Sequence, residues 1–229
     1  MTKLIASLQR DLHDIGLYNG IIDGSWGPLS QSAWDAAMSA ASLRREAVPT
    51  GLVVVPHAIA WSAKVSKEFE SRVASIAESL GMPDQGADWL MACMAWETGE
   101  TFSPAIRNSA GSGATGLIQF MPTTAKGLGT STDFLAKLTA EAQLDYVYRY
   151  FLPYRGRLNS LADTYMAILW PAGIGKPMDW VLWSAAASPI TYRQNAGLDI
   201  NRNGVITKAE AAAKVQAKLD KGRQPEMRR

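Results

Sequence analysis

The sequence predicts an all-α protein in two parts, a small helical bundle followed by a larger, mainly helical domain. Apolar residues recur at helical spacing in several separate segments. The 229 residues correspond to about one and a half domains of average size. Hydrophobic residues make up 47% of the chain and charged residues 19%, which is enough apolar material for a sizeable core. We expect the bundle at 1–45, a linker at 46–63 and the larger domain at 64–229.

Composition excludes several classes of protein. The 23 Lys and Arg residues nearly balance the 21 Asp and Glu residues, so electrostatic binding to nucleic acid is not expected. No apolar run reaches the roughly 18 residues of a membrane span, so membrane insertion is not expected either. The single cysteine, Cys93, has apolar neighbours, which predicts a buried thiol and excludes an intramolecular disulfide. Two histidines are too few for a typical zinc site, and no organic cofactor is expected.

The first segment has the pattern of a short helical hairpin. One apolar face at spacings of four, four and three residues predicts the first helix, and it comprises Leu4, Leu8, Leu12 and Ile15. Gly16 ends this helix, and GLYNGIIDGSWGP follows as a loop rich in glycine. Pro28 then begins the second helix, since proline is tolerated in a first helical turn.

The segment LQRDLHDIGLYNGIIDGSWGPLSQSAW resembles the type 1 peptidoglycan-binding domain, a three-helix cell-wall anchor. The matching positions are Leu8, Gln9, Leu12, Gly16, Tyr18, Gly20, Asp23, Gly24, Gly27, Ser30 and Ala33. Ser30 stands where Thr is usual, and the Phe-Gln pair that closes the last helix is missing. The resemblance implies that residues 1–45 bind the wall, with Tyr18, Asp23 and Trp26 as contacts. The alternative is a small helical cap without a ligand.

The larger domain begins with two helices of different character. Helical spacing of Phe69, Val73, Ile76 and Leu80 predicts the first. The second, in ADWLMACMAWETGE, is apolar on nearly every side, which is typical of a central, buried helix. Glu97 stands at its end, where desolvation disfavours the charged carboxylate and raises the pKa. A carboxyl group that stays protonated near neutrality is what a glycosidic general acid requires.

A glycine-rich loop, NSAGSGATGLIQFMPTTAKGLG, follows this helix. The whole run WETGETFSPAIRNSAGSGATGLIQFMPTTA resembles the superfamily of soluble lytic transglycosylases and goose-type lysozymes. The resemblance implies a lysozyme-like fold in which Glu97 is the catalytic acid. It also implies that the cleft which binds the sugar is lined by Thr98, in place of the usual Ser, and by Gly113, Ala114, Gly116 and Gln119.

The resemblance continues more loosely to about residue 185. The segment AEAQLDYVYRYF is similar to the helix that follows the glycine motif in the family. In ADTYMAILWPAGIGKP, Tyr165 takes the place of the cleft tyrosine that supports the acid, although Met166 replaces the usual Asn. Three tryptophans would either stack on sugar rings or pack in the interior: Trp170, Trp180 and Trp183.

The implied reaction cleaves the β-1,4 bond between N-acetylmuramic acid and N-acetylglucosamine. If the C6 hydroxyl of the sugar completes it, the product is a 1,6-anhydro sugar, the enzyme is a lytic transglycosylase, and one carboxylate is enough. If water completes it, the enzyme is a hydrolysing muramidase of the same fold. A third alternative is a non-catalytic wall-binding protein of a virion, against which the intact Glu97 and its glycine motif argue.

Two other carboxylates compete with Glu97. On a continuing helix, Glu100 would lie about 5 to 6 Å away at Cβ, a spacing that suits a two-carboxylate retaining mechanism. Gly99 is a poor residue to continue a helix, so we expect Glu100 to be an exposed or supporting carboxylate. Glu141 falls in the first turn of a helix capped by Thr139, where an acid is favourable for structure alone, but it also remains a candidate contact to the substrate.

Residues 199–210, DINRNGVITKAE, have the spacing of an EF-hand calcium loop. Glycine at the sixth position, Gly204, permits the sharp turn. Only two of the predicted ligands carry formal charge, which argues against very tight binding. Pro189 and Gly197 interrupt any long helix that enters the loop, and the sequence has no second loop to pair with it, so we expect a structural Ca²⁺ rather than a sensor site. The predicted ligands are Asp199, Asn201, Asn203, the backbone carbonyl of Val205, and Glu210. The alternative is a polar turn before a helix.

The combination of the two domains with a start that lacks a secretory signal resembles a bacteriophage endolysin or a virion-borne lysin. The resemblance implies a monomer made in the host cytoplasm that acts on peptidoglycan of the cell wall and lyses the bacterium. An endolysin would reach the periplasm through a holin.

Overall fold

The computed structural model describes residues 58–109 and 111–229, together with part of the first 33 residues: Ile5, Ala6, Gln9, Arg10, Leu12, His13, Tyr18, 20–25, Gly27, Leu29, Ser30 and Ala33. The chain divides into two compact units, Met1–Ala47 and Val48–Arg229. Most of the predicted linker and Trp26 lie outside the described residues.

The described positions of the first unit surround one buried amide, that of Gln9. Its Nε2 lies within hydrogen-bonding distance of the hydroxyl of Tyr18, at 3.2 Å, and of a carboxylate oxygen of Asp23, at 3.0 Å. Its Oε1 accepts from the backbone N–H of Gly24 at 2.8 Å. Among the described residues of this unit, Leu12, Tyr18 and Ala33 form a small apolar cluster. The buried amide therefore fixes the loop that follows the first helix.

The second unit is mainly helical, as the sequence predicts. Its helices are α1 (Lys67–Ser79), α2 (Gly86–Glu97), α3 (Pro122–Gly127), α4 (Thr132–Leu135), α5 (Ala140–Phe151), α6 (Leu161–Leu169), α7 (Pro189–Gln194) and α8 (Lys208–Gly222). Short 3-10 turns cover Ser62–Lys64, Leu152–Tyr154, Pro171–Gly173, Ala196–Leu198 and Pro225–Met227.

Helix α2 occupies the centre of this unit. Ten of its twelve residues are buried, and it contacts α1, α6 and α8. A helix that is apolar all round can be stable only when other elements cover every side of it. The Cys93 thiol is among the fully buried groups, as the sequence predicts.

Polar residues set the beginnings of five helices. In each case a Ser or Thr hydroxyl accepts a hydrogen bond from a backbone N–H three residues later, which satisfies one of the free N–H groups of the first turn. These N-cap residues are Ser66, Ser131, Thr139, Ser160 and Thr207. At Thr207 the contact is reciprocal, since the Glu210 carboxylate accepts from the backbone N–H of Thr207 at 3.0 Å.

The expectation of an all-α protein misses a small sheet. Strands β1 (Val181–Ser184) and β2 (Val205–Thr207) pair antiparallel, with Trp183 opposite Ile206 and a bulge next to it. Strand β2 lies inside the predicted calcium loop, so this loop is paired with an extended segment of its own domain.

Helix α8 packs against the segment that precedes α1. Trp61 is fully buried, and its Nε1 donates to the backbone carbonyl of Lys218 at 2.9 Å. A side chain at Gly222 would lie 2.3 Å from the Trp61 ring, so only glycine fits there. Across the described residues, no helix combines the length and hydropathy that a membrane crossing requires.

Candidate active site

Glu97 is the last residue of helix α2. The backbone N–H of Glu100 donates to the carbonyl of Ala95 at 2.7 Å, and that of Gly99 donates to Trp96 at 3.3 Å. Gly99 has a φ of 59°, so this helix end is a Schellman motif with glycine in the left-handed position. The motif turns the chain sharply after Glu97 and leaves its carboxyl group at the end of a buried helix.

The environment of Glu97 favours the protonated acid. Its side chain is half-buried, and burial raises its pKa from 4.5 to about 8. No charge on the described residues contributes to this shift, and none of them donates a hydrogen bond to the carboxyl group. The negative end of the α2 dipole acts in the same direction, because a carboxylate at a helix C-terminus is unfavourable. Glu97 is therefore largely neutral at pH 7 and can donate a proton.

Two tyrosines lie within electrostatic range of this carboxyl group. Tyr165 on α6 is almost fully buried, and its hydroxyl accepts a hydrogen bond of 2.9 Å from the Trp96 indole. Tyr150 on α5 donates to the backbone carbonyl of Ala167 at 2.7 Å. Burial raises the pKa of both tyrosines, and the charge of Glu97 adds to that effect. Both hydroxyl groups therefore stay protonated within electrostatic range of Glu97.

The glycine-rich loop is fixed by a residue that carries no sequence signal, Gln143. Its side chain is fully buried. It accepts from the backbone N–H of Leu117 at 2.7 Å and donates to the carbonyls of Pro104 and Leu135 at 3.0 and 2.9 Å. A Cβ at Gly116 would lie 2.3 Å from the Gln143 oxygen, and Gly116 has a φ of 83°. This close approach explains why glycine stands there.

The loop positions predicted to line the cleft differ in their access to a ligand. Gly116 and Ala114 are buried, whereas Gly113 is half-buried against Pro122. Gln119 is half-buried with a φ of 52°, and its Nε2 donates to the carbonyl of Gly116 at 3.1 Å. Its Oε1 accepts no hydrogen bond from the residues that the structure describes, so this oxygen is available to a ligand.

Thr98 is not placed to touch a substrate. It is fully buried, and its hydroxyl donates to the carbonyl of Met94 at 2.7 Å while accepting from the backbone N–H of Phe102 at 3.0 Å. Both hydrogen-bonding functions of the hydroxyl are used inside the protein. The expectation that Thr98 binds the sugar is therefore replaced by a role in holding the turn after Glu97.

Glu100 forms ion pairs with two lysines. Its two carboxylate oxygens lie 2.5 and 2.6 Å from the ammonium groups of Lys218 and Lys221 on α8. These hydrogen bonds lower its pKa, so Glu100 is a charged structural residue. The Schellman turn also excludes the continuing helix that would have placed Glu100 beside Glu97.

Glu141 lies at the other end of α5 from Tyr150. The two are nine positions apart, which is about 13 Å along a helix. The carboxylate of Glu141 accepts a hydrogen bond of 2.5 Å from Ser66, the residue that caps α1, and this bond lowers its pKa. Glu141 therefore links the starts of two helices, and its predicted contact to substrate beside Glu97 is not supported.

In the predicted metal loop, the side-chain oxygens of the candidate ligands accept hydrogen bonds from the backbone of the loop itself. The Asp199 carboxylate accepts from the backbone N–H groups of Asn203 and Gly204 at 3.2 and 2.9 Å. Glu210 reaches back across the loop, where its Oε1 is 3.5 Å from the backbone nitrogen of Asn201. The two asparagine amide oxygens also accept backbone hydrogen bonds within the loop.

This donor set fits a hard cation. All the candidate ligands are oxygens, two are carboxylates, and two are amides, which suits Ca²⁺ better than a transition metal. Within the described part of the chain, no group of three or more His, Cys, Asp or Glu side chains could hold a metal ion without other ligands. The hydrogen bonds hold Asp199, Asn201, Asn203, Val205 and Glu210 in one loop.

Two of the three predicted wall contacts can be placed. Tyr18 is buried in the apolar cluster of the first unit, and its hydroxyl donates to the carbonyl of Ile21 at 2.8 Å. The ring of Tyr18 therefore supports the loop and is not exposed to the wall. Asp23 is exposed, although one of its oxygens accepts from Gln9 and from the backbone of Ser25. Trp26 lies outside the described residues.

The sequence gives no signal for a buried ion pair between Lys208 and Asp163. The ammonium group of Lys208 lies 2.6 Å from the Asp163 carboxylate and 2.7 Å from the carbonyl of Lys176. Burial alone would raise the pKa of Asp163, but Lys208, the Gly175 N–H and a serine hydroxyl together lower it. The pair joins α6, which carries Tyr165, to the first residue of α8, Lys208, which lies within the predicted metal loop.

Comparison with known proteins adds no assignment to this geometry. No protein-family model matches the chain, and no curated protein matches it.

Proposed function

We propose that this protein cleaves the β-1,4 glycosidic bond of bacterial peptidoglycan with Glu97 as its one catalytic carboxylate, and that it does so as a lytic transglycosylase. The observation that carries the proposal is the half-buried Glu97, whose pKa burial raises to about 8. A neutral carboxyl group is the form that protonates the leaving oxygen of a glycosidic bond.

The proposed reaction needs only one acid. Glu97 donates its proton to the glycosidic oxygen as the bond breaks. The resulting carboxylate then removes the proton from the C6 hydroxyl of the muramic acid residue, whose oxygen bonds to C1 and closes the 1,6-anhydro ring. Each proton that Glu97 gives is thus recovered, and no water is consumed. The absence of another charge acting on Glu97 among the described residues supports this route over a two-carboxylate one.

The neighbouring groups have supporting roles in this proposal. The hydroxyl hydrogen of Tyr165 has no acceptor among the described residues, so it can stabilise the Glu97 carboxylate after the first proton transfer. The free Oε1 of Gln119 can accept a hydrogen bond from the amide of an N-acetyl sugar. The glycine-rich loop lets the backbone approach the sugar closely.

The remaining parts of the proposal concern partners and cofactor. The resemblance of the first unit supports a wall-binding role for residues 1–45, and the loop at 199–210 supports a structural Ca²⁺ held by Asp199, Asn201, Asn203, Val205 and Glu210. A bacteriophage lysin that acts as a monomer on the host cell wall, after release or from the virion, is the biological setting these features favour.

A series of three substitutions tests the assignment of the acid. We expect Glu97→Gln to lower the rate of turbidity loss of wall suspensions by about 10² to 10⁴-fold. Glu141→Gln should retain most of the activity, because its carboxylate contacts Ser66 far from Tyr150. Glu100→Gln should lower stability more than turnover, since it breaks two ion pairs. Full activity of Glu97→Gln would refute the proposal.

A further inference from the structure

A pocket lies around the start of α4, between the end of α3 and the middle of α5. Its volume is about 490 Å³, and it is lined by Lys126, Gly129, Thr130, Ser131, Phe134 and Tyr146. These residues come from the end of α3, the loop that joins it to α4, α4 itself and the middle of α5. None of them belongs to the candidate active site described above.

The wall of this pocket presents an exposed aromatic ring. Phe134 is 50% exposed, although its neighbour Leu135 is fully buried and anchors the short helix α4. The ring of Phe134 meets that of Tyr146 edge to face, with centroids 6.5 Å apart. Tyr146 also lies under the guanidinium of Arg149 at 5.2 Å. An exposed ring held in this way suits stacking against the apolar face of a sugar.

The charged residue among those that line the pocket, Lys126, is positive. Lys126 forms no ion pair with any of the residues that the structure describes, and Arg149 is exposed. The nearest acid on α4, Asp133, is neutralised by Arg107 at 2.6 Å. A ligand that carries carboxylates would therefore find an attractive potential here.

The pocket and the Glu97 site share one face of α5. Tyr146 and Tyr150 are four residues apart, which places them on the same side of the helix and about 6 Å apart along it. Tyr150 meets Phe120 of the glycine-rich loop edge to face at 6.1 Å, and Glu97 lies within electrostatic range of Tyr150. A chain bound across Glu97 can therefore continue along α5 toward Phe134.

We propose that this pocket is a distal binding subsite for the peptidoglycan strand, with Phe134 stacked on a sugar ring and Lys126 paired with a carboxylate of the peptide stem. This inference rests on the proposed function, because it takes the same polymer as the substrate. It adds that the protein binds a longer stretch of the strand than the cleavage reaction requires.

Kinetics on substrates of two lengths test the subsite. We expect Phe134→Ala to raise the KM for long glycan strands about tenfold and to leave kcat unchanged, while a tetrasaccharide that spans only the cleavage site reacts as with the wild-type protein. Lys126→Gln should raise the same KM about threefold and reduce its dependence on salt. Ile190→Ala and Lys137→Gln are the matched controls, since both residues are exposed and neither lines the pocket.

Binding to a variant that carries Glu97→Gln separates this inference from the proposed activity. Isothermal titration calorimetry with purified glycan strands should give a Kd about tenfold higher when Phe134→Ala is added to Glu97→Gln. An unchanged Kd would overturn the subsite even if Glu97 proves to be catalytic. If the wild-type protein cleaves nothing but the Kd still depends on Phe134, the proposed activity fails and the subsite stands. A Glu97→Gln protein that binds no strand would overturn the subsite.

Discussion

The indole Nε1 of Trp96 donates a hydrogen bond of 2.9 Å to the hydroxyl oxygen of Tyr165. Trp96 directly precedes Glu97 at the end of α2, and Tyr165 lies on α6, so this bond fixes the distance between the two helices next to the acid. Tyr165 is only 2% exposed, which leaves its hydroxyl few alternative orientations. Core packing and the hydrogen bond from Trp96 thus fix the position of the Tyr165 hydroxyl relative to Glu97.

Removing this hydroxyl should affect both stability and turnover. Tyr165→Phe keeps the ring but leaves the Trp96 N–H without an acceptor, at a cost of about 1 to 3 kcal/mol in the free energy of unfolding. We expect kcat on sacculi to fall about tenfold with little change in KM, because in the proposed mechanism the Tyr165 hydroxyl donates to the Glu97 carboxylate that forms during the reaction. Tyr154→Phe, a half-buried tyrosine nearby, is the control. Wild-type kcat in Tyr165→Phe would exclude the supporting role.

The raised pKa of Glu97 predicts how stability depends on pH. Between pH 4.5 and about 8, the folded protein keeps a proton on Glu97 that the unfolded chain releases. Each pH unit in this window therefore removes up to about 1.4 kcal/mol from the free energy of unfolding of the wild-type protein. This contribution is complete below pH 4.5 and is lost as the pH rises.

Glu97→Gln lacks this titration, so its stability relative to wild type should increase steadily from pH 5 to pH 8. Urea unfolding at four pH values in this range measures the difference. Glu78→Gln, which removes an exposed carboxylate on α1, should follow the wild-type profile. If the difference in free energy of unfolding between Glu97→Gln and wild type is constant across the range, burial does not raise the pKa of Glu97.

How far the sequence predicts the fold depends on whether the signal is local. Helices α1 and α2, and the cap at Thr139, follow from apolar spacing and capping residues a few positions apart. The β1–β2 sheet was missed because its strands are distant in sequence and each is very short. The sequence does not determine the orientation of Glu100, because that orientation depends on the turn at Gly99 that ends α2.

The same distinction between local and non-local signals applies to the residues of the candidate site. Glu97 could be predicted because a lone acid at the end of an apolar helix is visible in the sequence. Gln143 and the Lys208–Asp163 pair could not, since nothing local marks a polar residue as buried until its partners from other elements are known. The burial of Tyr18 corrected a predicted wall contact for the same reason.

The contacts of Gln143 predict that this buried amide stabilises the glycine-rich loop. Gln143→Leu has a similar volume but leaves one N–H and two carbonyls without partners, so we expect the free energy of unfolding to fall by about 3 kcal/mol or more. Gln216→Leu, on the exposed face of α8, is the control and should change stability by less than about 0.5 kcal/mol. Equal melting temperatures for Gln143→Leu and Gln216→Leu would contradict the role of Gln143.

Calcium should stabilise the protein through the loop at 199–210. A ligand that binds only the folded state at a hundred times its Kd adds about 2.7 kcal/mol to the free energy of unfolding. We expect the melting temperature to rise with added Ca²⁺ and to fall on chelation. Asp199→Ala should abolish the response, while Asp220→Asn, on an exposed part of α8, should keep it. No shift of the wild-type melting temperature in excess Ca²⁺ would count against the site.

The central claim is that Glu97 is the one catalytic carboxylate in cleavage of the glycan strand. Mass spectrometry of digested sacculi tests this claim most directly. The wild-type protein is expected to release muropeptides with 1,6-anhydro ends, each lighter by one water molecule than the hydrolysed product, and Glu97→Gln is expected to release none. Products with reducing ends would instead identify a hydrolysing muramidase. Release of the same products by Glu97→Gln and by the wild-type protein would contradict the assignment of Glu97 as the catalytic acid.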